Sequence, residues 1–356
     1  MMDYSKSLEN KLKEIRNKDA RKVKILAIET SCDETAAAVV RGGRKVLSSI
    51  VNSQIAIHSK YGGVVPEVAS RQHGLVLSKV VDAALCEAGE EFDSIDAVAV
   101  TCGPGLVGAL LVGVSYAKGI ALAKSLPLLG VNHIEGHICS NYITHPRLKP
   151  PFLCLIVSGG HSHIVLVEGY DELKVLGRTR DDAAGEAFDK IGRLLGVPYP
   201  GGPNLEKLAS RGDPDAYPFP RGMKNEQGYD LTFSGLKTAV INMLHKAREK
   251  GQKVNAADVA ASFQAAVVET LVEKTFLALC KSGMDKLAVC GGVSANGALR
   301  DAVRRRAAET GAKVYFPAPE YCGDNAAMIG CAGHLMLLRG AVSGLDLDAN
   351  PSLGLN

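Results

Sequence analysis

A chain of 356 residues is long for one compact core, so we expect a two-lobed body. The composition, 46% hydrophobic and 22% charged, is ordinary for a soluble globular protein, and the charged N-terminus does not resemble a signal peptide. No apolar run reaches the ~20 residues that span a bilayer, which argues against a membrane protein and predicts a cytoplasmic one. Nine scattered cysteines without a CxxC pair argue against a disulfide framework or a cysteine-ligated zinc site.

The net charge of +3 comes from the N-terminal end of the chain. Residues 1–24 hold eight Lys and Arg against four Asp and Glu, so the remaining body is close to neutral. The body is therefore not a basic nucleic-acid binder, and contact with RNA would depend on local patches, the N-terminal arm or partner subunits. Leu8, Leu12 and Ile15 recur at helical spacing, so we expect the arm to be a solvated or frayed helix.

Strands and helices alternate along the first part of the chain. The pattern predicts strands at 24–29, 36–41, 45–51 and 95–101, a helix from Pro66 to Gly89, and a helix from the glycine-rich loop 102–108 to about residue 125. A further strand from Leu128 leads into a helix-like stretch that begins near His133. This alternation is typical of an α/β fold.

The same order of elements returns after Pro146 and the Pro150-Pro151 break. Strands are predicted at 152–157, 163–167 and 173–178, with a polar turn at 158–162. We interpret this repeat as an internal duplication with a boundary near 146–151.

Local signals predict the remaining elements. They indicate a helix around 185–190, a turn at 199–204, a long loop at 211–234, helices near 235–249 and 256–282, a strand at 286–290, a turn at 291–296 before a helix, a strand at 313–316, and a last helix ending near 339. The predicted domains are an N-terminal extension 1–23, lobes at 24–148 and 149–320, a last helix segment 321–340 and a tail 341–356.

His133 and His137 are four residues apart, which places both imidazoles on one helical face, where they could bind one metal ion. Two histidines do not complete a metal site, so a third ligand has to come from elsewhere, and an isolated pair also fits two ordinary polar residues. The metallopeptidase motif H-E-x-x-H has its Glu directly after the first His. Here Ile134 follows His133 and the acid is Glu135, which disfavours a peptidase.

Glycine- and serine-rich turns follow four predicted strands, at 30–35, 102–108, 158–162 and 291–296. Backbone amides in such turns suit anionic phosphate or carboxylate groups. Turns at equivalent places in duplicated halves could face each other across a cleft and hold one nucleotide. The alternative is that these glycines only form turns.

Nine motifs, in chain order, resemble those of the tRNA N6-adenosine threonylcarbamoyltransferase family, bacterial TsaD type. They are ETSCDET (29–35), CGPGLVG (102–108), NHIEGH (132–137), VSGGHS (157–162), GEAFDK (185–190), YPGGP (199–203), FSGLKT (233–238), GGVSAN (291–296) and CGDNAAM (322–328). The similarity covers about residues 24–339. It implies an actin/Hsp70-like (ASKHA) two-lobed fold with duplicated RNase H-like halves.

The resemblance also implies roles for individual residues. His133, His137 and Asp324 would be metal ligands, with Asp324 brought back to the first lobe by the last helix segment. The implied metal is iron, Fe(2+), although two imidazoles and a carboxylate also suit Zn(2+). The implied substrate-binding residues are Ile156, Val157, Ser158, Gly159, Gly160, Asp189, Gly202, Glu206 and Asn296. Asp189 also fits a surface acid, Asn296 fits a helix cap, and the position of Glu206 varies in the family.

Asp33 and Glu34 would face the cleft if the first hairpin lies as in actin-like proteins, and we predict that both are essential catalytic acids. A carboxylate there could accept a proton, order a water or hold a second cation. Which of the two acts as a base stays open. Adjacent acids in a turn can also simply bind backbone amides.

The resemblance implies an acyltransferase that moves threonylcarbamoyl from threonylcarbamoyl-AMP to N6 of adenosine 37. The substrates would be tRNAs that read codons beginning with A, and the products t6A and AMP. Implied partners are a related actin-like subunit of the TsaB type and a small ATPase of the TsaE type. Rival interpretations are a sugar kinase or ATPase of the same fold and a scaffold subunit without activity.

Overall fold

The structure is a computed structural model that describes residues 2–222 and 228–355. The chain divides into two compact units. The first unit contains the chain up to Ile57, Val64–Leu148 and Asp324–Leu355, and the second contains His58–Gly63 and Lys149–Gly323. The end of the chain therefore belongs to the first unit.

Ten strands and eleven α-helices form the described chain. The strands are β1 Lys24–Glu29, β2 Glu34–Arg41, β3 Lys45–Ser53, β4 Ala97–Gly103, β5 Leu128–Asn132, β6 Phe152–Val157, β7 Ser162–Val167, β8 Leu173–Arg178, β9 Lys286–Cys290 and β10 Lys313–Tyr315. The helices are α1 Met2–Asn17, α2 Ile55–His58, α3 Pro66–Ala88, α4 Val107–Lys124, α5 His133–Thr144, α6 Ala184–Leu194, α7 Gly201–Ala209, α8 Ser234–Glu249, α9 Ala256–Ser282, α10 Gly297–Thr310 and α11 Ala326–Leu338.

Each unit contains one five-stranded sheet, and the two sheets have the same topology. The first has the order β3-β2-β1-β4-β5 and the second β10-β9-β6-β7-β8, so β1 corresponds to β6 and β4 to β9. In each sheet the first three strands are antiparallel neighbours, and the last two strands run parallel to the first. The predicted duplication is confirmed at the level of topology.

Strand β1 shows how the first sheet is covered on both faces. Leu26 and Ile28 belong to an apolar cluster with buried residues of α3 and α4. The alternate residues Ile25 and Ala27 lie close to the glycines of α11. A strand buried on both faces reads as a continuous apolar run, which is the pattern of this segment.

Glycines let α11 pack closely against the sheet. A Cβ atom at Gly330 would lie 2.7 Å from Val40 Cγ2, and one at Gly333 would lie 2.6 Å from Ala99 Cβ. Such distances leave no room for a side chain. The helix that follows Asp324 is therefore held at a fixed depth over β1, β2 and β4.

The ends of three parallel strands position the candidate site. Strands β1, β4 and β5 end at Glu29, Gly103 and Asn132, at the same edge of the sheet. Ligand sites of open α/β sheets lie beyond the carboxyl ends of the strands. Helix α5 starts directly after Asn132 at this edge.

The N-terminal arm is a helix, as predicted, but it is docked rather than frayed. Ile15 is buried, and the Tyr4 hydroxyl donates to the Leu126 carbonyl at 3.3 Å. Lys18 Nζ donates to both carboxylate oxygens of Asp96, at 2.9 and 2.7 Å. The spacing of apolar residues indicated the helix, whereas these polar contacts arise only in the folded chain.

The structure corrects one predicted element in the second half and describes another only in part. The turn predicted at 199–204 is in fact largely the start of α7, which begins at Gly201. The Gly201 amide donates to Asp189 Oδ1 at 2.7 Å, so a side chain from the preceding helix compensates for the poor helix propensity of glycine here. The described parts of the predicted loop 211–234 have no long helix or strand, and residues 223–227 lie outside the described chain.

Helix α4 is long and apolar enough to cross a membrane by length and composition alone, and it is the one such helix among the described residues. In this fold, Leu110, Val114 and Ala117 of α4 are buried. Val114 and Ala117 belong to the apolar cluster over the first sheet.

The packing of α11 can be tested with a matched pair of glycine substitutions. Gly333→Ala should lower the free energy of unfolding by about 1–3 kcal/mol, because the new methyl group would overlap Ala99. Gly119→Ala in α4, where no described atom lies within 4 Å of the added Cβ, should raise it by about 0.5–1 kcal/mol through helix propensity. Denaturant unfolding measures both values. Equal effects of the two substitutions would contradict the close packing of α11.

Candidate metal centre and catalytic turn

Asn132 fixes the start of the histidine helix. Its side-chain oxygen accepts from the amides of Ile134 and Glu135, at 2.9 and 3.4 Å, as an N-cap residue does. His133 is then the first helical residue and His137 lies one turn later. The two ring centroids are 4.7 Å apart with the planes at 77°, so both imidazoles lie on one face of α5.

Asp324 lies beside this pair, although it is nearly 190 residues further along the chain. Its Oδ1 is 3.5 Å from His133 Nε2 and 3.2 Å from His137 Nε2. The neighbouring Asn325 caps α11 by accepting from the Met328 amide at 3.0 Å, which fixes the backbone next to Asp324. The three side chains each offer a ligand atom within 4.8 Å of the others and form a candidate metal site.

The chemistry of this cluster fits a divalent metal. Both ring nitrogens of His137 are buried. Within residues 2–222 and 228–355 Nδ1 has no hydrogen-bond partner, and Nε2 lies 3.2 Å from Asp324 Oδ1 without a well-aligned hydrogen bond. An unpaired buried imidazole is costly unless another group binds it. The Asp324 side chain remains 23% exposed, whereas those of His133 and His137 are 7% and 0% exposed, so the site opens to solvent on the aspartate side. Two nitrogen donors and one oxygen donor with an open side suit Fe(II) or Zn(II).

Gly136 has a structural reason to lie between the histidines. A Cβ atom there would be 2.7 Å from Ile329 Cδ1 of α11. The poor helix propensity of glycine is therefore offset by close contact between α5 and α11. This contact is what brings Asp324 to the histidines.

Glu29 is a site residue to which the motif analysis assigned no role, although it opens the motif ETSCDET. It is fully buried at the end of β1, where its Oε2 accepts from Thr101 Oγ1 at 2.6 Å and from His133 Nδ1 at 3.0 Å. The Ser31 amide donates to its other oxygen. With the proton on Nδ1 held by Glu29, Nε2 on the side of Asp324 would be free to bind a metal, because a metal-binding histidine commonly donates its other ring proton to a carboxylate. The available signal was an acid that closes the otherwise apolar strand KILAIE.

The charges in this cluster stabilise one another. Burial raises the pKa of a carboxyl group, but the neighbouring His133 outweighs burial and lowers the pKa of Glu29. Burial opposes protonation of His133, yet the carboxylates of Asp324 and Glu29 raise its pKa well above the ordinary value. A metal must therefore displace a proton from His133, so its affinity should depend on pH.

Asp33 and Glu34 lie at the start of β2, in the turn that follows β1. The Glu34 Oε1 accepts from Ser53 Oγ at 2.9 Å, while its Oε2 is buried with no hydrogen-bond partner in the described part of the chain. Burial, with the nearby charges of Asp33 and Asp324, raises the pKa of Glu34 to about 7. Strand β2 starts at Glu34, two residues earlier than predicted. Glu34 is thus a half-buried carboxyl group that titrates near neutral pH.

The predicted substrate turn of the second unit follows β6. Gly159 and Gly160 are exposed, and an added Cβ at either would meet no described atom within 4 Å. Ile156 and Val157, by contrast, are fully buried in β6, so only their backbone could contact a ligand. Gly185 at the start of α6 approaches Ser158 so closely that a Cβ would lie 2.6 Å from the Ser158 carbonyl oxygen.

A second turn packs against this one. Gly291 has φ +88°, and a Cβ there would lie 2.3 Å from the Val157 carbonyl oxygen. Left-handed geometry and close approach both demand glycine at this position. The turn 291–296 is therefore held beside the turn after β6.

Three of the predicted ribose and adenine residues also have structural partners. Asp189 Oδ1 accepts from Gly201 N, as described above, and Glu206 Oε1 accepts from Gly297 N at 2.7 Å. Asn296 caps α10 through Leu299 N at 2.9 Å and donates to Gln264 Oε1 at 2.9 Å. Gly202 lies in the first turn of α7 with open space around it in the described chain. These predicted residues belong to the second unit. The metal cluster and residues 32–35, which carry Asp33 and Glu34 and are called the acidic turn below, belong to the first unit.

The duplicated sheets define the structural class of this chain, and solved structures agree. The crystal structure of T. kodakarensis HypF superposes with a TM-score of 0.61 at 17% sequence identity, covering 92% of this chain and 50% of that one. The Acidaminococcus fermentans (R)-2-hydroxyglutaryl-CoA dehydratase component A gives a TM-score of 0.53 at 13% identity, covering 89% of this chain and all of that one. These likenesses show the actin/Hsp70-like (ASKHA) fold.

Sequence comparisons identify the family. The TsaD family model, described as tRNA N6-adenosine threonylcarbamoyltransferase, matches residues 45–331. A Clostridium perfringens protein of that name is 56% identical over 331 residues, which are 93% of this chain and 98% of the relative. A Clostridium beijerinckii protein of the same name is 55% identical over the same share of each chain. The chain belongs to the TsaD family, as the nine motifs predicted.

Metal titration tests the ligand set and Glu29 together. His137→Ala and Asp324→Ala should lower the bound metal to the same extent, because each removes one ligand atom. Glu29→Gln should weaken the affinity about 10–100-fold, because His133 loses the carboxylate that orients it. Calorimetric titration of the chelated protein with Zn(II) or, without oxygen, Fe(II) measures these values.

Glu90→Gln is the control for the metal titration. Glu90 is an acid of the first unit that pairs with Lys24 rather than with the cluster, so wild-type affinity is expected. Unchanged metal binding by Asp324→Ala would remove Asp324 from the ligand set. Unchanged affinity in Glu29→Gln would contradict the orienting role of Glu29.

The raised pKa of Glu34 should appear as a pH-dependent stability of the metal-free protein. The folded state holds the proton up to about pH 7, whereas an ordinary glutamate releases it near 4.5, so folding binds a proton between these values. The free energy of unfolding should therefore fall by about 1–3 kcal/mol relative to Glu34→Gln as the pH rises from about 5 to 8. Urea unfolding at several pH values measures it. Glu14→Gln, an exposed control, should follow the wild type, and parallel profiles of wild type and Glu34→Gln would disprove the shift.

Proposed function

We propose that this chain transfers the threonylcarbamoyl group of threonylcarbamoyl-AMP to N6 of adenosine 37 in tRNAs that read codons beginning with A. A C–N bond forms between the acyl carbon and N6, the bond from that carbon to the phosphate oxygen breaks, and AMP leaves with the bonding electrons. The family assigns a tRNA-modifying transferase. The observation that carries the proposal is the buried His133–His137–Asp324 cluster beside the turn that contains Glu34.

The transfer to N6 requires an activated acyl group. An exocyclic aromatic amine is a weak nucleophile, whereas AMP is already a good leaving group, so no covalent enzyme intermediate is required. We assign His133, His137 and Asp324 as ligands of one divalent metal, Fe(2+) by family resemblance, with Zn(2+) equally suited to the donors. When bound, the metal would polarise an oxygen of the acyl substrate and orient it.

The attacking amine loses a proton, and Glu34 is the proposed acceptor. A base with a pKa near the working pH combines availability with driving force, and burial raises the pKa of Glu34 to about 7. Its Oε2 has no partner among the described residues and can receive the proton. Asp33 would complete the acidic turn by holding a water or a second cation.

The second unit would bind the adenylate. The open glycines 159 and 160 would offer backbone amides to the acyl phosphate, beside the N-terminus of α6, and Ser158 would offer its hydroxyl, because its own amide donates to the His161 carbonyl. Ile156 and Val157 would contribute backbone only. Asp189, Gly202, Glu206 and Asn296 would receive ribose and adenine.

The tRNA would be recognised with help from other chains. The body beyond residue 24 is close to neutral, which predicts weak intrinsic affinity for a polyanion. Adenosine 37 lies in a single-stranded loop, where a base can be splayed toward a protein. We propose a TsaB-type subunit and a TsaE-type ATPase as partners, and the cytoplasm as the location.

The decisive assay combines the protein, both partner types, threonylcarbamoyl-AMP and unmodified tRNA. The wild type should form t6A and AMP in equal amounts, and His133→Ala should be slower by about 10²-fold or more, because a metal ligand is lost. His245→Ala, the same change at an exposed histidine, should retain activity. Nucleoside analysis of the digested tRNA measures the product.

Two outcomes would overturn the proposal. One is the absence of t6A with the wild type, and the other is equal activity of His133→Ala and wild type. Release of phosphate from ATP by the isolated chain, without t6A formation, would favour a kinase or ATPase of the same fold.

A further inference from the structure

His73 of α3 contacts both ends of the acidic turn. Its side chain is fully buried, with Nε2 2.8 Å from the Cys32 carbonyl oxygen and Nδ1 2.7 Å from Thr35 Oγ1. Cys32 and Thr35 are the residues that flank Asp33 and Glu34. One imidazole therefore spans the turn that carries both proposed catalytic acids.

The chemistry of the partners fixes the ring protons. A carbonyl oxygen only accepts, so Nε2 must carry a hydrogen and donate to Cys32. In the neutral ring Nδ1 is then an acceptor, and the Thr35 hydroxyl donates to it. Each ring nitrogen thus has a defined role, and no other common side chain offers this donor and acceptor at opposite ends of a rigid plane.

Gln54, which directly follows β3, contacts the same turn. The Gln54 amide donates to the Asp33 carbonyl oxygen at 3.0 Å, and the Gln54 side chain donates to the Ala69 carbonyl of α3 at 3.4 Å. Gln54 Nε2 also lies 3.4 Å from His73 Nδ1. The backbone oxygens of Cys32 and Asp33 therefore accept from two different segments, α3 and the residue that follows β3.

The ring nitrogens of a core histidine without a functional role could form hydrogen bonds to any nearby residues. Here the shortest contact of each ring nitrogen described above is to residues 32–35, and the bond to Thr35 is formed by its side chain rather than its backbone. Thr35 is itself fully buried. The arrangement constrains the one segment in which Glu34 must keep a defined position.

We propose that His73 is a positioning residue, which holds the Cys32–Thr35 turn so that Asp33 and Glu34 meet the substrate in one geometry. The proposal rests on the proposed function for its catalytic consequence. His73 itself does not touch substrate or metal in this assignment. Its effect passes through the backbone of Cys32 and the hydroxyl of Thr35.

Substitution of Thr35 tests the hydroxyl contact with little change in volume. Thr35→Val should lower kcat about 10²-fold, the loss expected when a reacting group is misplaced by about 1 Å, with KM for tRNA and metal affinity unchanged. Thr35→Ser, which keeps the hydroxyl, should restore most of kcat. Thr270→Val is the matched control, because Thr270 is a buried threonine of α9 whose hydroxyl donates to Ala266 of its own helix, and it should retain wild-type kcat.

Substitution of His73 separates the two ring contacts. His73→Gln places an amide near the former Nε2 and can keep the Cys32 bond, whereas His73→Asn places one near Nδ1 and can keep the Thr35 bond. Both should lower kcat with KM unchanged. Thermal unfolding of each variant establishes that the comparison is made on folded protein.

The pKa of Glu34 gives a readout that does not need the reaction. Carbon-13 NMR of labelled glutamate, with Glu34→Gln to assign the signal, should give about 7 in the wild type and a lower value in Thr35→Val, since a loosened turn lets water reach the carboxylate. An unchanged pKa, or wild-type kcat in folded Thr35→Val and both His73 variants, would overturn the positioning role. If wild-type protein forms no t6A, the proposed function fails, and the NMR measurement still decides the role of His73.

Discussion

The close contact between α5 and α11 is the constraint on which the metal cluster depends. Gly136 lets Ile329 approach α5, and the glycines of α11 seat that helix directly on the sheet. Asp324 immediately precedes α11, so the depth of this helix determines the distance from its carboxylate to both histidines. A larger residue at any of these glycines would displace the ligand atoms, whatever the chemistry of the ligands themselves.

Buried polar groups around this contact form a single chain of mutual support. Thr101 and Ser31 hold Glu29, Glu29 orients His133, and His133 and His137 face Asp324. Each member is expensive to bury alone and is compensated by the next. Such a network allows little positional freedom, which suits a site that must align an acyl group with a splayed base.

The acidic turn is held by a different set of contacts, and this separation has a chemical use. Residues 32–35 are bound by Ser53 at the end of β3, by Gln54 directly after it and by His73 on α3, while the metal cluster is held by α5 and α11. A base near neutral pKa has to be kept apart from cationic partners, because a lysine or arginine at Glu34 would lower its pKa. Ser53, Gln54 and His73 contact this turn through a hydroxyl, an amide and an imidazole, and burial can therefore keep the pKa of Glu34 high.

The sequence by itself determined the α/β class, the duplicated order of strands, the histidine pair and the family, because periodicity, glycine turns and motif spacing are local properties of the chain. It also placed most strand boundaries within two residues. It assigned no role to Glu29 or His73, since an acid in a strand and a histidine in a helix acquire partners only when distant segments meet. The start of α7 at Gly201 and the docking of the N-terminal arm depend in the same way on Asp189 and Asp96. The family resemblance named Asp324 as the third ligand, but only the tertiary structure gave its distance from His133 and His137, because that distance depends on how two helices pack and not on the spacing of residues along the chain.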